Sequence, residues 1–270
     1  MIEIIAHHAH VFEPESRKDG TVDALKNVMD ECGIDKAVCF APFMGYFHGG
    51  AANPNRWLYE QIKNEDRLLG FGTIDFEKDN LAEQTEEIAE LGLVGIKLHP
   101  AYQRFKIDGD RACEVYKVAE KHGLPISFHT GVHHHRISDY NTLLYDEIVY
   151  RFPALKICME HVGGYSFFKE ALAVMTNDRE KRVYAGLTSV FDRDMNKFWY
   201  LGKENVKELI WMLGIDRCVF GLDFPYNSPA LIKEAMTAMR ECIEEMGLGE
   251  DALAKAFGGN LLRMIGKARG

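Results

Sequence analysis

Residues 94–129 read VGIKLHPAYQRFKIDGDRACEVYKVAEKHGLPISFH and contain one complete strand–helix–strand unit. The apolar run 94–98 predicts a buried strand, and residues 112–122 have the spacing of an amphipathic helix. Gly123 follows that helix at the usual place of a C-terminal cap, just before the next apolar run at 125–129. Apolar strands joined through a helix are typical of a parallel sheet that helices cover.

The same unit recurs along the chain. Apolar runs lie at residues 2–6, 37–40, 68–74, 94–98, 125–129, 155–161, 183–187 and 218–223, with helical patterns at 22–32, 81–91, 112–122 and 205–213 among the segments between them. Such units in about 250 residues predict an α/β fold of the (β/α)8 TIM-barrel type, with a doubly wound open sheet as the alternative. Two further helices are expected at 229–246 and 251–265. No linker or composition shift divides the sequence, so residues 1–270 are expected to form a single domain.

Composition excludes several classes of function. The net charge of −9 argues against nucleic acid as a partner. No apolar run approaches the roughly 20 residues of a membrane helix, and the sequence begins with a strand pattern rather than a signal peptide. The six cysteines are far apart and form no C-x-x-C motif, so we expect reduced thiols in a cytoplasmic protein. The expected partner is a small-molecule substrate, and a homodimer is left open.

Five of the eleven histidines fall at the ends of predicted strands; they are His8, His10, His99, His129 and His161. A barrel brings the C-terminal ends of its strands together in one ring, where active sites of this fold form. Strict alternation along the first strand would place His8 and His10 on one face and turn His7 toward the outer layer.

The predicted metal ligands are His8, His10, His129 and Asp223, which ends the eighth apolar run. Three imidazole nitrogens and one carboxylate oxygen suit one Zn²⁺ or a related divalent ion. Such an ion would activate water and polarise a substrate oxygen. His161 is then expected to orient that water or to move protons. Alternatively, Asp223 only starts a turn, as Asp often does.

Lys97 has two alternative roles. It either places a cation near a substrate carboxylate, which we favour, or is carboxylated and bridges two metals. With His161 and Asp223 it completes the predicted catalytic residues. The predicted substrate-binding residues are Lys97, His99, Tyr102 and Arg136, although His99 could merely cap a turn before a proline.

Two loops are expected on the same face of the barrel. Residues 133–135 are three consecutive histidines followed by Arg136, and they are either solvated or in contact with substrate. The aromatic segment 42–53 is expected to be a mobile lid, or else a loop packed on itself.

Several motifs together resemble one family. They are H-x-H at His8 and His10, GIKLHP at 95–100, P-x-x-x-H-T-G at 125–131, H-x-G-G at 161–164, F-G-x-D-x-P at 220–225 and G-N-x-x-R-M at 259–264. The sequence is similar to the amidohydrolase superfamily, in its branch of metal-dependent TIM-barrel hydrolases that also holds aminocarboxymuconate-semialdehyde-decarboxylase-like enzymes. The resemblance implies the same four metal ligands and a catalytic or ligand-supporting His161.

The chain departs from the family pattern at two positions. Ala6 stands where an Asp is usual, two residues before the first ligand histidine, and Leu222 replaces the Ser of a G-S-D motif. These changes affect the hydrogen bonding around the site rather than the ligands themselves.

The resemblance allows two reactions. We expect hydrolysis of a small, anionic lactone, ester or amide, because the sequence shows no large insertion and only one aromatic cluster, in the segment 42–53, to build an aromatic-acid pocket. The alternative is non-oxidative decarboxylation of a small carboxylic acid, which needs a pocket that keeps water from the reacting carbon. A metal-binding protein without catalysis is the least favoured, because of His161.

Overall fold

The computed structural model describes residues 2–49 and 53–267, and within them eight parallel strands form a closed barrel. Each strand pairs with its neighbours in sequence, and the first strand closes on the last. The predicted TIM barrel is therefore confirmed. The strands are β1 (Ile5–His10), β2 (Lys36–Phe40), β3 (Leu68–Gly72), β4 (Gly95–Leu98), β5 (Ile126–His129), β6 (Ile157–Glu160), β7 (Val183–Leu187) and β8 (Cys218–Phe224).

Helices surround the barrel. They are α1 (Val22–Cys32), α2 (Pro54–Ile62), α3 (Leu81–Glu90), α4 (Pro100–Gln103), α5 (Asp110–His122), α6 (Leu144–Arg151), α7 (Gly164–Asn177), α8 (Gly202–Leu213), α9 (Pro229–Glu245), α10 (Gly249–Ala254) and α11 (Asn260–Met264). Short 3₁₀ turns lie at Lys18–Gly20, Met44–Tyr46, Ile137–Tyr140, His161–Gly163 and Ile215–Arg217. None of these helices, in the part of the chain that is described, is long and apolar enough to cross a membrane.

The last predicted helix, over 251–265, is broken in the structure. A π-helical turn at Lys255–Gly259 separates α10 from α11. Gly258 has a φ of 157°, and a Cβ at this position would lie 3.0 Å from the Cβ of Ile5. The helical periodicity of the sequence continues through this segment, but the close approach to β1 requires a backbone that no α-helix can adopt.

Local sequence signals fix where α1 begins and ends. Thr21 accepts a hydrogen bond from the Ala24 N–H at 3.1 Å, which caps the N-terminus. Gly33 follows the last turn with a φ of 67°, in the left-handed region that favours glycine. These two ends match the predicted bounds 22–32 and direct the chain into β2.

The core has two parts. One lies between the barrel and its helices, and the other fills the barrel interior. The interior part includes Ile5, Val38, Phe40, Phe71 and Val219, together with Leu261, Leu262 and Met264 at the end of the chain. Since Ile5 and Val219 lie near the starts of their strands, α11 closes the N-terminal end of the barrel. The polar side chains of the barrel interior lie at the opposite, C-terminal end of the strands.

Candidate active site

A cavity of about 240 Å³ lies at the C-terminal ends of the strands. It is lined by most of the predicted site residues, namely His8, His10, Lys97, His99, Tyr102, His129, His161 and Asp223. Arg136 lies elsewhere: its exposed guanidinium pairs with Asp139 at 2.6 Å across a 3₁₀ turn. The structure therefore does not place Arg136 where the predicted contact with substrate could form.

β1 departs from a regular strand at His8. The φ of His8 is 64°, and the register with β2 shifts at this point. This bulge turns both His7 and His8 into the barrel. The His7 ring lies 5.1 Å from the Phe40 ring and 5.0 Å from the Phe71 ring. The predicted outward direction of His7 is wrong, because it assumed an unbroken alternation that the bulge interrupts.

Three of the four predicted metal ligands converge at the floor of the cavity. The Nε2 atoms of His8 and His10 are 3.1 Å apart, and His8 Nε2 lies 3.4 Å from Asp223 Oδ1. Donor atoms of these three residues, called the floor triad below, all lie within 4.8 Å of one another. Ser189 donates to the other Asp223 oxygen at 2.6 Å, which orients the carboxylate.

The fourth predicted ligand, His129, is not one of the residues whose donor atoms converge in the floor triad. Its Nε2 donates to the Gly131 carbonyl at 2.8 Å. Its ring centroid is 4.7 Å from that of His161, and its donor atoms group instead with those of His99 and His133.

Glu160 supports the floor triad from inside the barrel, a role that the sequence reasoning missed. Its Oε2 accepts hydrogen bonds from His8 Nδ1 at 2.8 Å and Thr188 Oγ1 at 2.9 Å. Its Oε1 accepts one from Ser127 at 2.7 Å. The available signal was a carboxylate inside an apolar run. Because His8 Nδ1 donates here, its Nε2 carries a lone pair, which faces His10 at the cavity floor.

His161 is held in one orientation by the backbone of the next strand. Its Nδ1 donates to the Thr188 carbonyl at 2.8 Å, and its ring stacks on Trp199 at 4.3 Å. Burial lowers the pKa of His161 to about 3, and the nearby Lys97 adds to this effect. The ring is therefore neutral at pH 7 and offers Nε2 as a proton acceptor.

Burial also sets the charges at the floor. It lowers the pKa values of His8 and His10 well below the ordinary value, with Lys97 as the next cause. It raises the pKa of Asp223 to about 6, against the hydrogen bond from Ser189 and the charge of Lys97. Lys97 itself has its pKa lowered by burial, although Glu160 and Asp223 favour its charged form.

The floor triad fits a divalent cation. Two neutral imidazoles and one carboxylate converge, and a buried carboxylate holds the far nitrogen of His8, as is usual behind a metal-ligating histidine. Backbone strain marks the same place: His8, His161, Ser189 and Asp223 all have φ between 54° and 64°. Non-glycine residues adopt this conformation at a cost that is typically found at functional sites.

The walls of the cavity are aromatic. Phe12, Phe43, Tyr46, Tyr102, Trp199 and Tyr226 line it. They come from segments after β1, β2, β4, β7 and β8, and Tyr46 stacks on Tyr102 at 5.2 Å. The premise that aromatic residues cluster only in the segment 42–53 is therefore wrong.

The segment 42–53 is only partly described. Phe43 and Tyr46 line the cavity, and the His48 N–H donates to Glu13 at 2.8 Å, which ties the loop to the end of β1. Residues 50–52 of the predicted lid lie outside the described residues.

Comparison with known proteins establishes the family. The family model described as Amidohydrolase matches residues 5–267. The chain therefore belongs to the amidohydrolase family of enzymes, as its motifs predicted. A curated relative, the 2-amino-3-carboxymuconate-6-semialdehyde decarboxylase of Dictyostelium discoideum, is 23% identical over an alignment of 239 residues. The alignment covers 76% of this chain and 62% of that protein. The match thus spans less than two thirds of the relative's length.

Solved structures share the fold. A dihydroxybenzoic acid decarboxylase from Polaromonas sp. JS666, with bound manganese and the inhibitor 2-nitroresorcinol, superposes with a TM-score of 0.74 at 17% identity, covering 100% of this chain and 98% of that one. A putative 2-pyrone-4,6-dicarboxylic acid hydrolase from Pseudomonas putida gives 0.69 at 18% identity, covering 98% of both chains. At these identities the likeness shows the barrel fold alone.

Proposed function

We propose that this protein is a metal-dependent, non-oxidative decarboxylase of a small carboxylic acid. The observation that carries the proposal is the contrast between the two parts of the cavity. Its floor holds the floor triad and a buried lysine, whereas its walls are aromatic. A flat acid would place its carboxylate on the polar floor and its ring between the walls. The decarboxylases among the similar proteins support the same reaction.

The metal is proposed to be one divalent ion, with Zn²⁺ as the first expectation and Mn²⁺ supported by the Polaromonas structure. His8, His10 and Asp223 would hold it, with His129 as the further predicted ligand. When bound, such an ion withdraws electron density from substrate oxygens and stabilises negative charge that develops next to them.

Lys97 complements the charge of the acid. Its Nζ is buried and has no hydrogen-bond partner among the described residues. A substrate carboxylate would supply that partner. Lys97 would then orient the carboxylate that leaves as CO₂. This role agrees with the favoured of the two sequence interpretations, while a carboxylated Lys97 that bridges two ions is the alternative.

His161 is proposed to carry the proton. Its Nε2 accepts a proton from the bound acid or its hydroxyl group and returns it to the carbon that loses CO₂. The carbon–carbon bond to the carboxylate breaks, CO₂ leaves, and the electron pair that remains on carbon takes that proton. The aromatic walls keep bulk water from this carbon.

This proposal takes the second of the two expected reactions. The expectation of hydrolysis depends on the lack of aromatic residues for an aromatic-acid pocket, and the aromatic walls of the cavity argue against that premise. A hydrolase would use the same residues at the cavity floor, so the aromatic walls are the feature that favours decarboxylation over hydrolysis. The small-molecule substrate is common to both proposals.

The test is product analysis. The metal-loaded protein is incubated with small hydroxybenzoic acids and with lactones and esters of similar size, and ¹³C-labelled CO₂ and ring-opened products are measured. CO₂ release that Asp223→Asn abolishes is expected. Opening of lactones or esters without CO₂ release would replace the proposal with a hydrolase.

A further inference from the structure

His99, at the end of β4, has one nitrogen in use and one without a partner. The backbone N–H of Tyr102 donates to its Nδ1 at 3.3 Å. Its Nε2 is buried and has no partner within residues 2–49 and 53–267. A histidine ring carries at least one hydrogen on its two nitrogens. The lone pair of Nδ1 is engaged, so that hydrogen lies on Nε2.

An unpaired, buried donor calls for an acceptor. His99 lines the cavity, so a bound ligand can supply one. The surroundings admit an anion, because the nearest rings carry no negative charge: the His99 ring stacks on His129 at 4.0 Å, and the rings of His133 and His135 lie 5.8 and 5.5 Å away. Within the described part of the chain, Asp223 is the one carboxylate that lines the cavity.

We propose that the Nε2–H of His99 binds an oxyanion of the substrate at the β4 wall, apart from the carboxylate held at the floor. This subsite, called the β4 subsite below, would select substrates whose ring carries a second acidic group. The inference rests on the proposed function, because that function places the first carboxylate on the floor.

A second metal site is the competing interpretation. Donor atoms of His99, His129 and His133 lie within 4.8 Å of one another. A metal ligand, however, must offer a lone pair, and Nε2 of His99 carries the hydrogen while Nδ1 is occupied by Tyr102. The hydrogen bond therefore favours the anion.

The experiment measures binding by calorimetry to the metal-loaded protein, with benzoate, isophthalate and 3-hydroxybenzoate as probes. Isophthalate is expected to bind about tenfold more tightly than benzoate, as a hydrogen bond to a charged group implies. The 3-hydroxybenzoate arm tells whether a phenol oxygen can replace the second carboxylate. In His99→Leu the affinity for isophthalate should fall to about that for benzoate. His99→Gln keeps an N–H donor and should retain most of the preference for isophthalate. His133→Leu is the matched control on the same wall and should leave the ratio unchanged.

Three results would overturn the β4 subsite: equal affinity of the wild type for benzoate and isophthalate, no binding of any probe, or a ratio that survives His99→Leu. A titration with Mn²⁺ that finds a second equivalent, lost in His99→Leu, would establish the metal site instead. These measurements need no turnover. Absence of CO₂ release with an intact isophthalate preference would refute the proposed reaction and leave the subsite standing.

Discussion

The orientation of His8 depends on one buried carboxylate, that of Glu160. Glu160→Gln should weaken metal binding about 10- to 100-fold, because the amide replaces an anionic acceptor behind a ligating imidazole. The measurement is competition for Zn²⁺ against a chromophoric chelator, with ¹⁵N-histidine NMR to report which His8 nitrogen carries the hydrogen. Ser127→Ala is the control, since Ser127 bonds the other oxygen of the same carboxylate. An equal loss of Zn²⁺ affinity in both variants would mean that Glu160 acts only through packing.

His161 offers a separate test of proton transfer. His161→Asn keeps a side-chain N–H near the Thr188 carbonyl but removes the atom equivalent to Nε2. Turnover should fall by about 10²-fold or more, the usual size of a general acid–base contribution, while metal content stays near that of the wild type. Parallel loss of metal would mean that His161 is a ligand.

The sequence allowed some of these residues to be assigned and not others. His99 directly follows an apolar run, His10 lies four residues after one, and Asp223 ends one, so their placement at one end of the barrel could be predicted. The inward direction of His7 and the support from Glu160 could not, because a bulge inside β1 and hydrogen bonds between distant strands produce them.

At the scale of elements, β7 leaves room for the buried carboxylate because Gly186 has no side chain. A Cβ there would lie 2.3 Å from Glu160 Oε2. Gly186→Ala should therefore lower the free energy of unfolding by about 1–3 kcal/mol and weaken metal binding as well. Gly33→Ala, where φ is 67° and no atom lies within 4 Å of the added Cβ, should cost about 1 kcal/mol through backbone strain alone.

Thermal unfolding and metal titration of these two variants check this prediction. The decisive comparison is metal affinity, which Gly33→Ala should leave unchanged. Unaltered affinity in Gly186→Ala would mean that Glu160 can move without disturbing His8.

Elements with clear local signals were the most predictable. α1 has the predicted bounds because Thr21 and Gly33 cap it. The segment 251–265 was not predictable to this degree, since the contact of Gly258 with Ile5 joins the two ends of the chain. Periodicity reports the face that a helix buries, but not a break imposed by a distant strand.

At the scale of the whole molecule, burial protects the thiols. Burial raises the pKa of Cys218 to about 12 and that of Cys242 to about 11. Among the cysteines of the described residues, Cys113 is the one that is only partly buried. Iodoacetamide at pH 8 should therefore modify Cys113 first in the native protein, because thiolate and access are both required. Mass spectrometry of digested protein checks this; early labelling of Cys39 would contradict the packing.

Reaction class was the least predictable property. The aromatic walls are assembled from segments after β1, β2, β4, β7 and β8, and no single stretch of sequence displays them. Strand ends could be placed from hydrophobic runs, whereas the directions of loop side chains depend on the closed barrel. A pocket built this way is visible only in three dimensions.

The floor triad joins the first strand to the last, and this has a consequence for synthesis on the ribosome. Asp223 is synthesised 213 residues after His10. α11, which closes the opposite end of the barrel, emerges later still. A nascent chain therefore cannot assemble the floor triad before Asp223 has left the ribosome, and the ability to retain a metal ion would mark molecules in which the barrel has closed from β1 to β8.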